Sequence, residues 1–213
     1  MNAIWDGPRR KDGSRIRIGW RPGAKFWDKQ AGWLNYICDD DGKPIDALEF
    51  GLGTRTYAFW VKRDPSFDWH TITLDNFEEW YDSFYDGFAR MDMLDDDVDY
   101  RRFVKAGTKL IISIGTEDEY VPCDALIDYY KEIGRVTFNG DMDKMRENIR
   151  LVLQPGNDHA AGLVNDGFGS CLSDSMIALM KWAEEGVAPD AIPAVHISFV
   201  TNGIDREGEV YAY

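Results

Sequence analysis

The stretch LVLQPGNDHAAG, residues 151–162, combines a strand pattern, a turn and a histidine. The apolar run LVL predicts a short buried strand, and Pro155 and Gly156 predict a tight turn directly after it. His159 follows within a few residues of the strand's end. Enzymes built from alternating strands and helices often hold a general base on such a loop, so His159 is a candidate base. A surface histidine in a turn is the alternative that the spacing leaves open.

A second segment upstream has the same design. Residues 108–114, TKLIISI, predict a strand that ends at Gly115, and the acidic loop Glu117–Glu119 follows it at once. An acid and a histidine that each follow the carboxyl end of a strand are two members of a catalytic triad. The pattern of these two segments does not identify the third member, the nucleophile.

Helical patterns follow both loops. One helix is predicted from Pro122 to Gly134, and another from a cap at Ser173 or Asp174 to Gly186. Strand, loop and helix in alternation predict an α/β protein with a parallel sheet flanked by helices. Because two strands do not form a stable sheet alone, strands from the first half or from another polypeptide are expected to complete it.

The C-terminal tail predicts one more short strand, over Val195–Val200, with a turn at residues 202–203. His196 lies within that apolar run. The pattern favours a packed histidine there over a catalytic one.

The first half of the chain is rich in aromatic residues, and most of the Phe, Tyr and Trp residues precede Ala106. The run TYAFWV at residues 56–61 is compatible with a strand or with part of a buried helix. A helix capped by Asp75 or Asn76 is predicted to begin at Phe77, because its aromatic residues recur with helical spacing.

Two aromatic residues of that helix, Trp80 and Tyr85, are candidate substrate-binding residues. The ordinary interpretation is that they pack the helix against its own domain. The functional interpretation is that they line a pocket for a flat substrate.

Composition excludes several classes of function. The formal net charge of −14 disfavours a nucleic-acid partner, since phosphates would be repelled. No apolar run approaches the roughly 20 residues of a membrane span, and no apolar segment of a signal peptide is expected in this chain. The three cysteines, Cys38, Cys123 and Cys171, indicate neither a disulfide scaffold nor a zinc site. The aspartates at residues 39–41 predict a solvated turn rather than a metal site, and no cofactor is expected.

Six motifs follow one another along the chain. They are Ile4–Gly23, Asp99–Phe103 with Gly107–Ile111, Gly115–Pro122, Tyr129-Tyr130, Pro155–His159 and Trp182–Asp190. In this order they resemble the tannase and fungal-type feruloyl esterase family of α/β-hydrolases.

The resemblance implies a fold and a reaction. Residues 106–213 would be the C-terminal strands and helices of a partial α/β-hydrolase core, and residues 1–105 would fall in an aromatic-rich lid region. His159 would be the general base and Asp118 the acid that orients it. The implied reaction is hydrolysis of a small-molecule ester of a hydroxylated aromatic acid.

The family's nucleophile motif is absent from this sequence. Family members carry the serine in a G-x-S-x-G turn well before the lid, whereas the nearest string here, Gly167–Cys171, lacks the second glycine and follows the histidine. Many members also place a disulfide-bonded cysteine directly after the histidine, where this chain has Ala160. The resemblance therefore implies that a second protein chain carries the serine, and it suggests a secreted or periplasmic location.

Two other interpretations stay open. The chain could be a non-catalytic, truncated relative that binds an aromatic ligand or a partner protein. Alternatively, His159 and Asp118 could serve a serine within the chain, such as Ser170 or Ser173.

Overall fold

A computed structural model describes residues 2–24, 36–91, 97–159, 171–198, 201 and 203–213. Its strands are β1 (Tyr36–Cys38), β2 (Pro44–Ala47), β3 (Leu110–Gly115), β4 (Ile149–Gln154), β5 (Cys171–Leu172), β6 (Ala191–Ser198) and β7 (Gly203–Tyr211). Its α-helices are α1 (Asn2–Asp6), α2 (Gly51–Thr56), α3 (Phe77–Arg90), α4 (Arg101–Lys105), α5 (Cys123–Phe138), α6 (Met142–Arg146) and α7 (Ser175–Glu185). A π-helix covers Tyr57–Lys62, and a 3₁₀ turn covers Trp69–Thr71.

Strands β3 and β4 form the predicted parallel pair and are in register along their whole length. Successive side chains of a strand point to opposite faces, so an uninterrupted apolar run is suited to burial on both. On one face Ile114 and Leu151 belong to a core that includes helix α5. On the other face Val152 packs with residues of β6 and β7. The prediction that these two strands are neighbours is confirmed.

The C-terminal tail forms more sheet than the sequence predicts. Strands β5, β6 and β7 are antiparallel in that order, and β6 begins at Ala191, ahead of the predicted start at Val195. Strand β7 was missed because residues 205–209 are mostly charged and exposed, so its pairing with β6 leaves no apolar pattern. An isolated bridge between Val152 and Ala212 also joins the tail to β4. Residues 199, 200 and 202 of the predicted strand and turn lie outside the described residues.

The predicted helices α3 and α7 are confirmed. Asn76 directly precedes α3, although its side chain forms no capping hydrogen bond with the helix. Helix α7 lies between Asp174 and Gly186, whose φ of +75° suits glycine. The run at 56–61 is helical rather than extended, and the short helix α1 was not predicted. No helix in the described part of the chain is long and apolar enough to cross a bilayer.

Helix α5 does not end at Gly134 as predicted, but continues to Phe138. Asn139, with a φ of +55°, provides the left-handed residue that ends it. Gly134 is needed for close packing instead, since a Cβ there would lie 2.4 Å from the sulfur of Met142. The glycine therefore marks a contact with helix α6, which a sequence pattern cannot distinguish from a helix end.

The chain divides into two compact units. The first contains Met1–Pro8, Arg15–Phe26 and Val98–Tyr213, and the second contains Arg9–Ser14 and Trp27–Asp97. This division differs from the boundary expected between residues 105 and 106, because short N-terminal segments and residues from 98 onward cluster with the parallel strands. Helix α4 is an example, since Val104 packs on the core of the first unit.

The second unit holds the aromatic residues together. The rings of Tyr57 and Trp80 lie 5.3 Å apart between centroids, and Phe84 contacts both of them. Aromatic pairs at such distances add about 0.5–1.5 kcal/mol each to the burial of their surface. Arg10 also joins two helical turns of α3 through ion pairs with Glu78 and Asp82.

Candidate active site

The loops that follow β3 and β4 meet at the carboxyl edge of the parallel pair. Because the strands are parallel and in register, both loops leave the sheet on the same side. Backbone hydrogen bonds then join the loops: Thr116 N–H donates to the carbonyl of Gln154 over 2.9 Å, and Glu117 N–H donates to the carbonyl of Asn157 over 3.0 Å. The acid loop and the histidine loop are therefore held together by their backbones.

Gly115 lets the two loops approach this closely. A Cβ at this position would lie 2.2 Å from the carbonyl oxygen of Asn157, well inside van der Waals contact. Gly156 forms the predicted turn with a φ of +69°, a conformation that favours glycine. Both glycines thus serve to place the residues that follow them.

Asp118 pairs with His159 at this edge. The Oδ2 atom of Asp118 lies 3.0 Å from Nδ1 of His159, and Oδ1 lies 3.2 Å from the same nitrogen. The side chain of Asp118 is only 5% exposed. Its Oδ1 atom also accepts the backbone N–H groups of Tyr120 and Val121, over 2.8 and 2.7 Å. The carboxylate is therefore oriented by its own loop before it meets the imidazole.

This arrangement determines which ring nitrogen of His159 can act on a substrate. An ionised carboxylate only accepts hydrogen bonds, so the neutral imidazole carries its proton on Nδ1 and leaves Nε2 as the basic atom. The histidine side chain is 49% exposed, which leaves it accessible. The ring of Tyr120 packs edge-on against it at 5.0 Å between centroids. Asp118 thus lies within hydrogen-bond distance of Nδ1 of His159, while a catalytic role for the pair stays a prediction.

The two glutamates that flank Asp118 behave differently. Glu119 is 1% exposed, and its Oε2 atom accepts the backbone N–H of His159 over 3.1 Å. Burial raises the pKa of the Glu119 carboxyl, and the neighbouring Asp158 and Asp118 act in the same direction, while the N–H of His159 opposes them. The carboxylate of Glu117 instead lies near Gly23, where an added Cβ would be 3.2 Å from it.

The contact made by Glu119 is not visible in the sequence. Neither glutamate contacts the imidazole ring through a described hydrogen bond. Glu119, however, binds the backbone of His159. A run of three acids does not indicate which of them is buried. Burial here depends on the contact of two loops that are 40 residues apart in sequence.

The other two histidines also pair with aspartates. His70 Nδ1 lies 2.8 Å from Asp68 in the second unit, and His196 Nδ1 lies 2.5 Å from Asp205 on the hairpin of β6 and β7. The side chain of His196 is 13% exposed, which agrees with the packed histidine expected from its apolar run. A pairing with aspartate is therefore not by itself a mark of the site in this protein. His159 differs in being held at the ends of two parallel strands.

Of the two serines considered within the chain, Ser173 is among the described residues. Ser173 Oγ donates to the carbonyl of Pro193 over 3.2 Å. Gly167–Ser170, which include the other candidate, lie outside the described residues. Among the residues that are described, no side chain forms a hydrogen bond with Nε2 of His159.

Trp80 and Tyr85 occupy different positions on helix α3. Trp80 lies in the aromatic cluster and lines a cavity of about 230 Å³ together with Tyr57, Phe67 and Ser83. Tyr85 is 42% exposed. Trp80 thus packs in the cluster and also lines a cavity, and a substrate-binding role for Trp80 or Tyr85 stays a prediction.

Comparison with known proteins places the whole chain in one sequence family. The family described as "Tannase and feruloyl esterase" matches residues 1–213. A probable feruloyl esterase of Arthroderma benhamiae is 29% identical over 145 residues, which are 68% of this chain and 26% of that protein. Feruloyl esterase C of Talaromyces stipitatus is 25% identical over 153 residues, or 67% of this chain and 28% of that protein. The chain spans about a quarter of the length of these curated relatives.

Solved structures agree in fold. Tannin acyl hydrolase from Aspergillus niger superposes on the whole chain with a TM-score of 0.81 at 23% identity, and the match covers 38% of that chain. Feruloyl esterase B from Aspergillus oryzae gives a TM-score of 0.71 at 18% identity and is covered to 41%. The described elements therefore form part of an α/β-hydrolase fold of this type.

Proposed function

The chain belongs to the tannase and feruloyl esterase family, and on this premise we propose that it forms part of a carboxylic ester hydrolase. Its contribution is the base and the orienting acid of a Ser-His-Asp triad. The observation that carries the proposal is the pair formed by Asp118 and His159. The buried carboxylate is bound by two backbone N–H groups and faces Nδ1 of a half-exposed imidazole.

The chemistry follows from that pair. Nε2 of His159 takes the proton of a serine hydroxyl as the serine attacks the ester carbonyl. Asp118 stabilises the resulting imidazolium and does not take the proton itself. The imidazolium then gives the proton to the leaving alcohol or phenol, and a water molecule repeats the cycle to release the acid.

The serine is proposed to come from another polypeptide or from a further part of a longer protein. Within the described residues, β3 pairs with β4 on one side only. A parallel strand with an open apolar edge favours the addition of another strand. The chain also spans 38–41% of the related solved structures. These facts support a core that is completed by segments outside these 213 residues.

The proposed substrate is an ester of a hydroxylated aromatic acid. The aromatic-rich region of residues 1–105 is proposed to act as a lid, and Tyr85, which is 42% exposed, is the better of the two candidate contacts. Aromatic side chains suit a flat phenolic ring, because stacked and edge-on contacts are both favourable.

A hydrolysis assay tests the proposal. Methyl gallate and methyl ferulate are offered to the chain alone, to a separate polypeptide that carries the family's G-x-S-x-G turn, and to their mixture. Turnover is expected in the mixture only, because a base without a nucleophile and an oxyanion hole gives little catalysis. Turnover by the chain alone would contradict the proposal and point to a serine of its own, with Ser170 first.

The rival proposal is a non-catalytic module. It is favoured by the observation that no described side chain bonds to Nε2 of His159. If the mixture is inactive and gallate or ferulate still binds the chain in a calorimeter, the module is the correct interpretation.

A further inference from the structure

Two consecutive carboxylates of the acid loop hold His159 at two different atoms. Asp118 accepts from the ring at Nδ1, and Glu119 accepts from the backbone N–H of the same residue. We infer that Glu119 is a positioning residue, which sets the place from which the imidazole reaches the substrate. This inference rests on the proposed function of His159 as the base.

The contact between Glu119 and the backbone of His159 is a structural part of the site. Glu119 is 1% exposed, so its carboxylate has been removed from water and depends on donors within the protein. The N–H of His159 lies 3.1 Å from Oε2 and comes from the other loop, 40 residues away. Leaving a buried acceptor without such a donor would cost about 1–3 kcal/mol. The hydrogen bond therefore stabilises the crossing of the two loops as well as the histidine.

The position of an imidazole depends on its backbone as well as on its ring partner. A single contact at Nδ1 leaves the ring able to swing about that atom when the loop moves. A second contact at the backbone N–H holds the start of the side chain, and the two together restrict where Nε2 lies. Catalytic groups act efficiently only when they are held close to the productive geometry.

The length of the Glu119 side chain, rather than its charge, is expected to position His159. The carboxylates of Asp118 and Asp158 lie close enough to raise the pKa of the Glu119 carboxyl. A third negative charge in that place is therefore repelled by its neighbours. The N–H of His159 is the larger of two backbone hydrogen bonds that oppose this rise in the pKa, and a neutral acceptor of the same length should form that bond too.

Three variants of the chain distinguish the effect of side-chain length at residue 119 from the effect of charge. Glu119→Gln keeps the length and removes the charge, Glu119→Asp keeps the charge and removes one methylene, and Glu119→Ala removes both. Glu117→Ala is the matched control, since it deletes an acid of the same loop that lies near Gly23.

Two measurements on the ¹⁵N-labelled chain report how firmly His159 is held, and neither needs an ester substrate. Hydrogen exchange at the His159 amide reports the N–H bond, and imidazole ¹⁵N shifts report which ring nitrogen carries the proton. His70 and His196 serve as internal controls, because each keeps its own aspartate at Nδ1. Hydrolysis is assayed separately in the mixture with the serine-bearing polypeptide.

Glu119→Gln and Glu117→Ala should resemble the wild type, whereas Glu119→Asp and Glu119→Ala should release His159. Release means amide exchange about tenfold faster, since one hydrogen bond contributes about that factor, and a fall in the ratio of Nδ1–H to Nε2–H, since the ring is then less firmly held against Asp118. If Glu119→Asp keeps the wild-type spectrum while Glu119→Gln loses it, charge is the operative property and the inference is wrong. Unchanged His159 signals in every variant would also overturn it. Inactivity of the mixture with intact His159 signals would contradict the proposed function alone.

Discussion

At the scale of single residues, the position of His159 depends on more contacts than its pairing with Asp118. Asp118 is itself bound by the N–H groups of Tyr120 and Val121, and Glu119 binds the backbone of the histidine. The ring is restrained although about half of the side chain is exposed. Such restraint is what a general base needs, because a small displacement from the substrate lowers the rate strongly.

Glu119 should make the stability of the chain depend on pH. Burial raises the pKa of its carboxyl, so the folded state keeps the proton to a higher pH than the unfolded state. The free energy of unfolding should therefore fall as pH rises from about 4.3, the ordinary value for Glu, to the folded pKa, and then level off. Glu119→Gln should lack this decline. Urea unfolding of both proteins between about pH 4 and 7 measures the difference, and parallel curves would contradict the expectation.

Alanine substitutions at Trp80 and Tyr85 should distinguish a residue that packs the second unit from a residue that contacts the substrate. Trp80→Ala should destabilise the second unit by about 3 kcal/mol, because the ring is part of the aromatic cluster. Tyr85→Ala should change stability by less than about 0.5 kcal/mol, since the ring is exposed, and should raise KM in the mixture. Urea unfolding measures the change in stability, and the ester assay measures the change in KM. A stable Trp80→Ala protein with a raised KM would reverse the assignment.

At the scale of elements, the site depends on how closely two loops cross. Gly115 ends β3 directly beneath the carbonyls of Asn157 and Asp158. The loop that carries His159 therefore rests on the end of the strand that precedes the acid loop. This contact explains why a glycine stands at the end of the apolar run.

Gly115→Ala should damage both fold and site. The added Cβ would lie 2.2 Å from backbone, which cannot turn aside as a side chain can. We expect a loss of about 3 kcal/mol in the free energy of unfolding and a lengthened distance between Asp118 and His159. Gly208→Ala, on a strand with nothing within 4 Å, is the control and should be nearly neutral. Equal stability of the two variants in urea would show that the loops can separate at little cost.

The parts that could be predicted from the sequence are those that local pattern determines. Apolar runs gave the positions of β3 and β4, and helical spacing with caps gave α3 and α7. Strand β7 could not be predicted, because its charged residues pair through the backbone alone. The role of Gly134 and the burial of Glu119 were likewise inaccessible, since both depend on contacts between segments that lie apart in sequence.

At the scale of the whole molecule, the first unit presents apolar surface that its own described residues leave uncovered. Helix α7 exposes Met176, Ile177 and Met180 by about half or more, although Trp182 on the same helix is buried. Apolar patches of this kind mark surfaces that bind another chain. The open edge of β3 belongs to the same unit.

The isolated chain should therefore self-associate. Its net charge of −14 opposes association, so raising the salt concentration should strengthen it. Ile177→Asp should weaken self-association, whereas Leu74→Asp, at a residue 97% exposed in the second unit, should not. Sedimentation velocity over a range of concentrations measures the effect. A monomer at all concentrations, with or without salt, would contradict the expectation and weaken the case for an incomplete core.

The proposed function requires that His159 of this chain activates a serine that lies outside these 213 residues. A fluorophosphonate probe, which labels activated serines, tests it in the mixture with the G-x-S-x-G polypeptide. Label should appear on that polypeptide only, and its rate should fall about 10³-fold or more with His159→Ala and less with Asp118→Asn. Label on this chain, or an equal rate with His159→Ala, would contradict the claim.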